Sequence, residues 1–410
     1  MPSTDTTFDT AKIPIPIRAV VTLMTTLDSL GIPVVNLDLN KAKAAAEEKT
    51  GLHDWNDQHF LDDLEKLIDF VKRSPTATSL LKINFRNDLM RRLTNYLKLQ
   101  EFKKTHPDLA SQSVGTPLII AGLPRTGTTL LHRLLAQDPV SHGPALWELF
   151  APIDSVTPSA DSRRKDTEGF VNMVRNTSLT LWSIHPTYAN EADECYFLLP
   201  QSLGDVFIYT GIDYWNWFSQ RSAIPDYELY KQYLQAMHYG QRARRWVLKT
   251  PVHTPKFDDL LTVFPNAQII WCHRGLSHVI ASWVSFAAVS RKLTHKTVDP
   301  VQLGREWVEI WSQSLKEAQK ARDHHPASQF FDVNYDDLVL DPMGMVRKIY
   351  TYFGLELTVA AEAKMKAWLE KDRQQERLGH RYTLDRYGLS PEILEREFAD
   401  YIRRYDVSID

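Results

Sequence analysis

The stretch from Pro117 to Gln137, PLIIAGLPRTGTTLLHRLLAQ, limits what this chain can fold into more than any other. A short apolar run, Leu118 to Ala121, leads into a glycine-bounded loop, Gly122 to Thr129, and then into apolar residues at helical spacing: Leu130, Leu131, Leu134 and Leu135. The pattern predicts a strand, a tight loop and a helix start. Such a turn aims successive backbone N–H groups and the positive end of a helix dipole at one point, and its glycines let a phosphate approach the backbone. The loop nearly fits the nucleoside-triphosphate cradle G-x-x-x-x-G-K-[ST], but Thr128 stands at the lysine position and Arg125, inside the loop, supplies the cation.

The rest of the chain fits an α/β protein organised around that loop. With 410 residues, 43% of them hydrophobic, it can build a sizeable core. A net charge of −3 gives no global pull toward nucleic acid or anionic membranes, so an anion site has to be built locally. Cys195 and Cys272 are too few for a disulfide framework and read as free thiols. The N-terminal residues carry acids and prolines rather than a signal pattern, and Val20 to Val35 is interrupted by Asp28, Gly31 and Pro33 before it reaches the roughly 18 residues of a membrane span. These features predict a cytoplasmic protein.

Residues 1–20 read as an arm, and three helices follow, Leu39 to Thr50, Asp57 to Val71 and Thr78 to Phe102. This lead-in (1–110) is expected to pack on a core domain (111–410), as decoration or as a substrate lid. Past the loop, Glu148 sits among Leu146, Trp147, Leu149 and Phe150, where a carboxylate needs a partner or a function. Residues 160–245 read as a helical insertion rich in aromatics, including Trp182, Tyr196, Phe197, Phe207 and Trp215, and interrupted by Glu191, Asp193 and Glu194. Aromatics at helical spacing suit a core, and a dense run of them also suits an apolar acceptor pocket.

A second group of motifs follows. Val247 and Leu248 end a short strand, which places Lys249 and Thr250 at its carboxyl edge, where ligands gather in open α/β sheets. His253 comes shortly after. Ala267 to Cys272 is a second buried strand closing on His273 and Arg274, and a helix, Ser277 to Val289, carries Ser282. Arg274 and Ser282 can reach one anionic group, the first with fork donors and the second with a hydroxyl. A long helix from Gln302 to Asp323, a strand from Phe330 to Val333, Tyr335 just beyond it, a helix from Met343 to Phe353 and a polar helix from Pro391 to Tyr405 complete the chain. Alternating strands and helices from 117 to 354 predict a parallel sheet with helices on both faces.

The ordered set GLPRTGTTLLHRLL, LKTP, HRGLSHVIASWVSF and VNYDDLVLDPMGMVRKIYTYFGL resembles the sulfotransferase family, in its bacterial-type and tyrosylprotein-like branch. The resemblance spans roughly residues 117–355 and implies a P-loop-type fold that transfers a sulfuryl group from 3′-phosphoadenylyl sulfate to a hydroxyl or amine, without a metal. It implies that Arg125, Thr126, Gly127, Thr128 and Thr129 hold the 5′-phosphosulfate, that Arg274 and Ser282 bind the 3′-phosphate, and that Tyr335 lies near the adenine. Arg125 and Lys249 are then suited to the leaving group and the sulfuryl oxygens.

For the base, Glu148 resembles in neighbourhood the carboxylate used by the tyrosylprotein branch, and His253 stands two residues beyond the position of the histidine used by cytosolic members. His185 is a third candidate. The Arg-Lys-Gly tripeptide of cytosolic members is absent, and Arg381 or Arg386 in LGHRYTLDRYGL can stand in for it. The aromatic segment favours a phenol, sterol or lipid alcohol as acceptor. A homodimer is compatible with this reading. The alternatives are a nucleotide kinase or NTPase and a non-catalytic nucleotide-binding protein.

Overall fold

The computed structural model describes residues 34–153, 160–177, 179–241, 244–374 and 382–410, with scattered positions between 19 and 30. The expected N-terminal arm lies outside them.

The lead-in forms three helices, α1 (Leu39–Thr50), α2 (Gln58–Arg73) and α3 (Ser79–Thr105). Asp38, Asp57 and Thr78 each accept a backbone N–H of the first turn, which is why the helices begin where they do. Their apolar faces, among them Leu64, Leu67, Leu81, Phe85 and Leu93, join the main core. Two arginine clusters tie this layer to the insertion: Arg92 bridges Asp88 and Asp205, and Arg221 bridges Asp63 and Asp226.

β1 (Leu118–Gly122) is buried throughout and leads into α4 (Thr128–Leu135). β2 (Ser141–His142) and α5 (Leu146–Phe150) follow, and then the insertion, α6 (Ala160–Thr177), α7 (Leu179–Ile184), α8 (Leu203–Ile208), α9 (Ile212–Gln220) and α10 (Ile224–His238). The chain returns through β3 (Arg245–Lys249), α11 (Phe257–Val263), β4 (Gln268–His273), α12 (Leu276–Thr294), α13 (Pro300–His324) and β5 (Phe330–Asn334). It ends with α14 (Tyr335–Leu340), α15 (Pro342–Tyr352), α16 (Val359–Arg373), α17 (Pro391–Glu397) and α18 (Ala399–Tyr405).

The sheet is parallel in the order β2-β3-β1-β4-β5. β1 is central, with Ile119 paired to Leu248 on one side and to Ile269 on the other. Its alternation feeds two cores. Leu118 and Ile120 pack with Leu131 and Leu134 of α4 and with Val346 and Ile349 of α15, while Ile119 and Ala121 face the core that also contains the lead-in, α10 and α13. The carboxyl ends of β1, β3 and β4 therefore converge on one edge, which is where the loop, Lys249 and Arg274 lie. The polar helix expected over Pro391 to Tyr405 is broken at Phe398, and α16 is a helix beyond those the sequence spacing predicts.

Candidate active site

The loop after β1 is held open by its backbone. Arg125 has φ 73°, a left-handed conformation that L residues with side chains seldom adopt. Gly127 has φ 85° and caps α4, and a Cβ there would lie 3.0 Å from both the Tyr335 ring and Leu338. Inside the loop, Thr126 is fully buried and its hydroxyl donates to Leu123 O at 2.6 Å, so this side chain braces the turn. The first N–H groups of α4 have no partner within the helix and point into the loop's concavity.

Two cations flank the concavity. Arg274, just after β4, lays its guanidinium 3.8 Å from the centroid of the Tyr335 ring and donates to Arg125 O at 2.9 Å. It therefore braces the left-handed residue of the loop, and joins two motifs that lie far apart in the sequence. Ser282, about two turns into α12, is 2% exposed. Arg125 extends the other way, donating to Ile184 O at the end of α7 at 3.0 Å.

Lys249, at the carboxyl end of β3, is 1% exposed. Its Nζ lies 2.8 Å from Glu194 Oε1 and 3.4 Å from the Thr129 hydroxyl on α4. The Thr250 hydroxyl donates to Glu194 Oε2 at 3.1 Å, and His185 Nε2 stands 3.9 Å from Glu194 Oε1. Burial alone would push the Glu194 carboxyl up, but the Lys249 ammonium, His185 and the Thr250 hydroxyl hold it below the ordinary glutamate value. Burial pushes His185 down and favours its neutral form. Glu194 was visible in the sequence only as one of three acids breaking an aromatic run. The structure makes it the carboxylate facing Lys249 at the end of β3.

The aromatics approach from the same side. The His185 ring lies 6.0 Å from Phe286 at an interplanar angle of 21°, Phe286 lies 5.0 Å from Phe207 at 24°, and Phe207 abuts Trp283. Phe286 is on α12, one turn beyond Ser282.

The other base candidates lie elsewhere. Glu148 Oε2 accepts from Ala145 N at 2.8 Å, closing the first turn of α5, and stands 3.1 Å from His142 Nε2. His142 Nδ1 is 2.6 Å from His238 Nε2, and the His238 ring stacks on Trp246 at 3.7 Å. Burial would raise the Glu148 carboxyl, but the His142 hydrogen bond and charge, with Ala145 N–H, hold it low. His253 is fully buried beneath the site, 3.0 Å from the Tyr227 hydroxyl and 3.4 Å from Cys195 Sγ, and burial depresses it to about 3. In the tail, Arg386 is exposed in the turn Asp385–Tyr387, and Arg381 lies outside the described residues.

The residues at this edge of the sheet fit a ligand that carries anionic groups. The loop presents backbone N–H groups and a glycine where a Cβ would crowd Tyr335, and Arg274 presents a guanidinium 3.8 Å from the centroid of the Tyr335 ring. Among the described residues, no group of three or more His, Cys, Asp or Glu is arranged to hold a metal ion. No helix among them is long and apolar enough to cross a membrane.

Comparisons with known proteins point to one kind of chemistry. Residues 117–359 match the family described as the Sulfotransferase family. The chain is 26% identical over 300 residues to the omega-hydroxy-beta-dihydromenaquinone-9 sulfotransferase Stf3 of Mycobacterium bovis, covering 70% of this chain and 74% of that one. The protein of the same name in Mycobacterium tuberculosis gives the same figures. Among solved structures, sulfotransferase STF9 of Mycobacterium avium superposes with a TM-score of 0.82 at 26% identity, covering 92% of this chain and 99% of that chain. Sulfotransferase STF1 of Mycobacterium tuberculosis gives 0.79 at 28%, covering 90% and 99%.

Proposed function

Because the chain belongs to the sulfotransferase family, we propose that it moves a sulfuryl group from 3′-phosphoadenylyl sulfate to a hydroxyl, or an amine, of an apolar acceptor such as a lipid alcohol, sterol or phenol. The nucleotide-kinase alternative finds no support among the relatives. The observation that carries the proposal is the Lys249–Glu194 pair, a buried ammonium and a carboxylate meeting beside Thr129 at the mouth of the anion loop.

When bound, the donor supplies the sulfuryl group and departs as a bisphosphate. The loop amides, Thr128, Thr129 and Arg125 would hold its 5′ end, and Arg274, Ser282 and Tyr335 its 3′-phosphate and adenine. Lys249 Nζ supplies positive charge where the leaving group gains negative charge. Glu194 is our choice of base, in place of Glu148 or His253. Its carboxylate is ionised and lies at the loop, so it can accept the acceptor's proton at Oε2 as the acceptor oxygen attacks. Lys249 also restrains that basicity. A lysine drawn away toward donor oxygens leaves the burial of Glu194 opposed only by His185 and the Thr250 hydroxyl, and so makes it a stronger base at the moment of transfer.

The acceptor class is supported by the Phe207–Phe286–His185 wall beside Glu194, and by the Stf3 relative, which is named for an omega-hydroxy-beta-dihydromenaquinone-9 acceptor. The test is a transfer assay with sulfuryl-labelled donor across long-chain alcohols, sterols, prenyl quinones bearing a hydroxyl, phenols, sugars and tyrosine peptides. Label on the apolar hydroxyls supports the proposal. Label confined to sugars or peptides would reject the acceptor class, and hydrolysis of ATP in place of any transfer would reject the reaction.

A further inference from the structure

Arg274 stands between two stretches of backbone, and both are held by the last residues of the sequence. On the strand side, His273 Nδ1 lies 2.7 Å from the Tyr401 hydroxyl, and the Tyr405 ring stacks on the imidazole at 4.6 Å and 17°. The other ring nitrogen is 2.9 Å from Asp332 Oδ1 on β5, so the imidazole is fixed at both edges.

On the helix side, the chain turns at Asp406, with φ 49°, and runs over the start of α12. There Leu276 N donates to Ser408 O at 3.1 Å and Ser277 N donates to Ile409 O at 2.7 Å. Gly275 permits the approach. A Cβ on it would lie 2.9 Å from Ser408 Oγ, 2.7 Å from Asp410 C and nearer still to the Asp410 carbonyl oxygen. Its φ is −47°, open to any residue, so residues 408–410 alone exclude a side chain here.

The first N–H groups of a helix ordinarily await a cap or an anion. At α12 two of them are filled by carbonyl oxygens of residues 408 and 409, which withdraws those two donors from a phosphate. An anion at this end of the sheet therefore falls to the Arg274 guanidinium and the Ser282 hydroxyl. The place of that guanidinium depends on backbone gripped on both sides by residues 401–410.

We propose that residues 401–410 are a positioning clasp that sets Arg274 for the 3′-phosphate of the donor. The clasp rests on the assignment of Arg274 and Ser282 to that phosphate. It accounts for a tail that is bound to both flanks of Arg274.

Titration calorimetry on the full chain tests it, with adenosine 3′,5′-bisphosphate and adenosine 5′-phosphate as probes and the melting temperature recorded for each variant. Deletion of residues 408–410 and Gly275→Ala should each weaken the bisphosphate about tenfold, the scale of lost cap and charge-assisted hydrogen bonds, and change the monophosphate less than about twofold. Combined, they should lose no more than the deletion alone, because the added methyl then has no Asp410 to meet. Tyr401→Phe keeps the aromatic packing and removes one hydrogen bond to His273, and it should shift the same ratio in the same direction.

Equal weakening of both nucleotides, unchanged bisphosphate affinity in folded variants, or additive losses in the double variant would each overturn the clasp. Arg274→Ala serves as the control. If it weakens both nucleotides equally, the 3′-phosphate assignment falls and the clasp falls with it. If it is selective and the tail variants are not, only the clasp falls.

Discussion

Two carboxylates in this molecule have almost the same surroundings on paper and opposite situations in space. Glu148 and Glu194 both sit among aromatic and aliphatic neighbours, both are paired to a histidine, and both are held below the ordinary glutamate value despite burial. Glu148 faces inward to the start of its own helix, where Ala145 N–H and His142 engage it. Glu194 faces Lys249 and Thr250 at the carboxyl edge of β3, within reach of the loop that follows β1. A depressed carboxyl is thus a poor guide to a catalytic one. What separates the two is place: Glu194 meets a lysine at the carboxyl edge of the sheet, and Glu148 meets the first turn of its own helix.

The largest expected effect breaks the comparison outright. Glu194→Gln preserves the shape of the side chain and its contact with Thr250 but cannot take a proton. We expect turnover to fall by about 10²- to 10⁴-fold, the usual yield of a positioned general base, with bisphosphate affinity kept. Near-normal turnover in that variant, together with a large loss in Glu148→Gln, would reverse the roles of the two residues.

Next in size is a test of the lysine's hold on Glu194. With Glu194 as the proposed base, its ionised form is the active one, and because its carboxyl is held below the ordinary glutamate value of 4.5 the acid limb of kcat/KM should fall below pH 4.5 in the wild type. In Lys249→Met the largest opposing influence is gone and burial raises the carboxyl, so the limb should move to higher pH, alongside a loss of rate from the missing cation. A limb that stays in place would show that another group titrates.

How much of this was legible in the sequence follows from how local each signal is. The strand, loop and helix at 117–135 are consecutive, and hydrophobic spacing with two glycines specifies them without help from the rest of the chain. Lys249 and Arg274 were legible for a similar reason, as polar residues closing short apolar strands. Glu194 was not. Its meaning comes from a lysine 55 residues away, and next to Cys195 and Tyr196 it reads as an interruption of a helix. β2 is two residues long and exists only through pairing with β3. The overlooked α16 buries Ala361, Met365 and Leu369, a spacing of four that was present in the sequence but thinly marked among charged neighbours. The break at Phe398 is equally invisible locally, since both halves carry helical spacing across it.

A smaller effect sharpens the comparison from the other side. Glu148→Gln weakens a capping contact and the His142 pair, so stability should drop by about 1 kcal/mol while turnover changes less than about threefold. Chemical denaturation and steady-state kinetics on one preparation suffice. Unchanged stability with a collapse in rate would contradict the capping role.

The smallest effect concerns acid stability of the same cluster. Burial depresses His238 to about 4 from the ordinary histidine value of 6.5. Between those values the unfolded chain binds the proton that the folded chain refuses, so stability rises with pH across the interval. The contribution is fully present above pH 6.5 and is lost as pH falls toward 4; the depressed Glu148 adds a loss of the same sign below its ordinary value of 4.5. His238→Gln keeps a polar group near His142 but does not titrate, so its unfolding free energy should fall less steeply than the wild type's between pH 7 and pH 4.5. Because His238 is partly open to solvent, the difference in slope should amount to about 1 kcal/mol or less over that interval. Buried His132 and His253, both held near 3, remain in the variant and keep it acid-sensitive, so the expected signature is a reduced slope and not a flat one. A variant that loses stability in acid as steeply as the wild type would remove His238 from the cause, and leave the stack on Trp246 as packing alone.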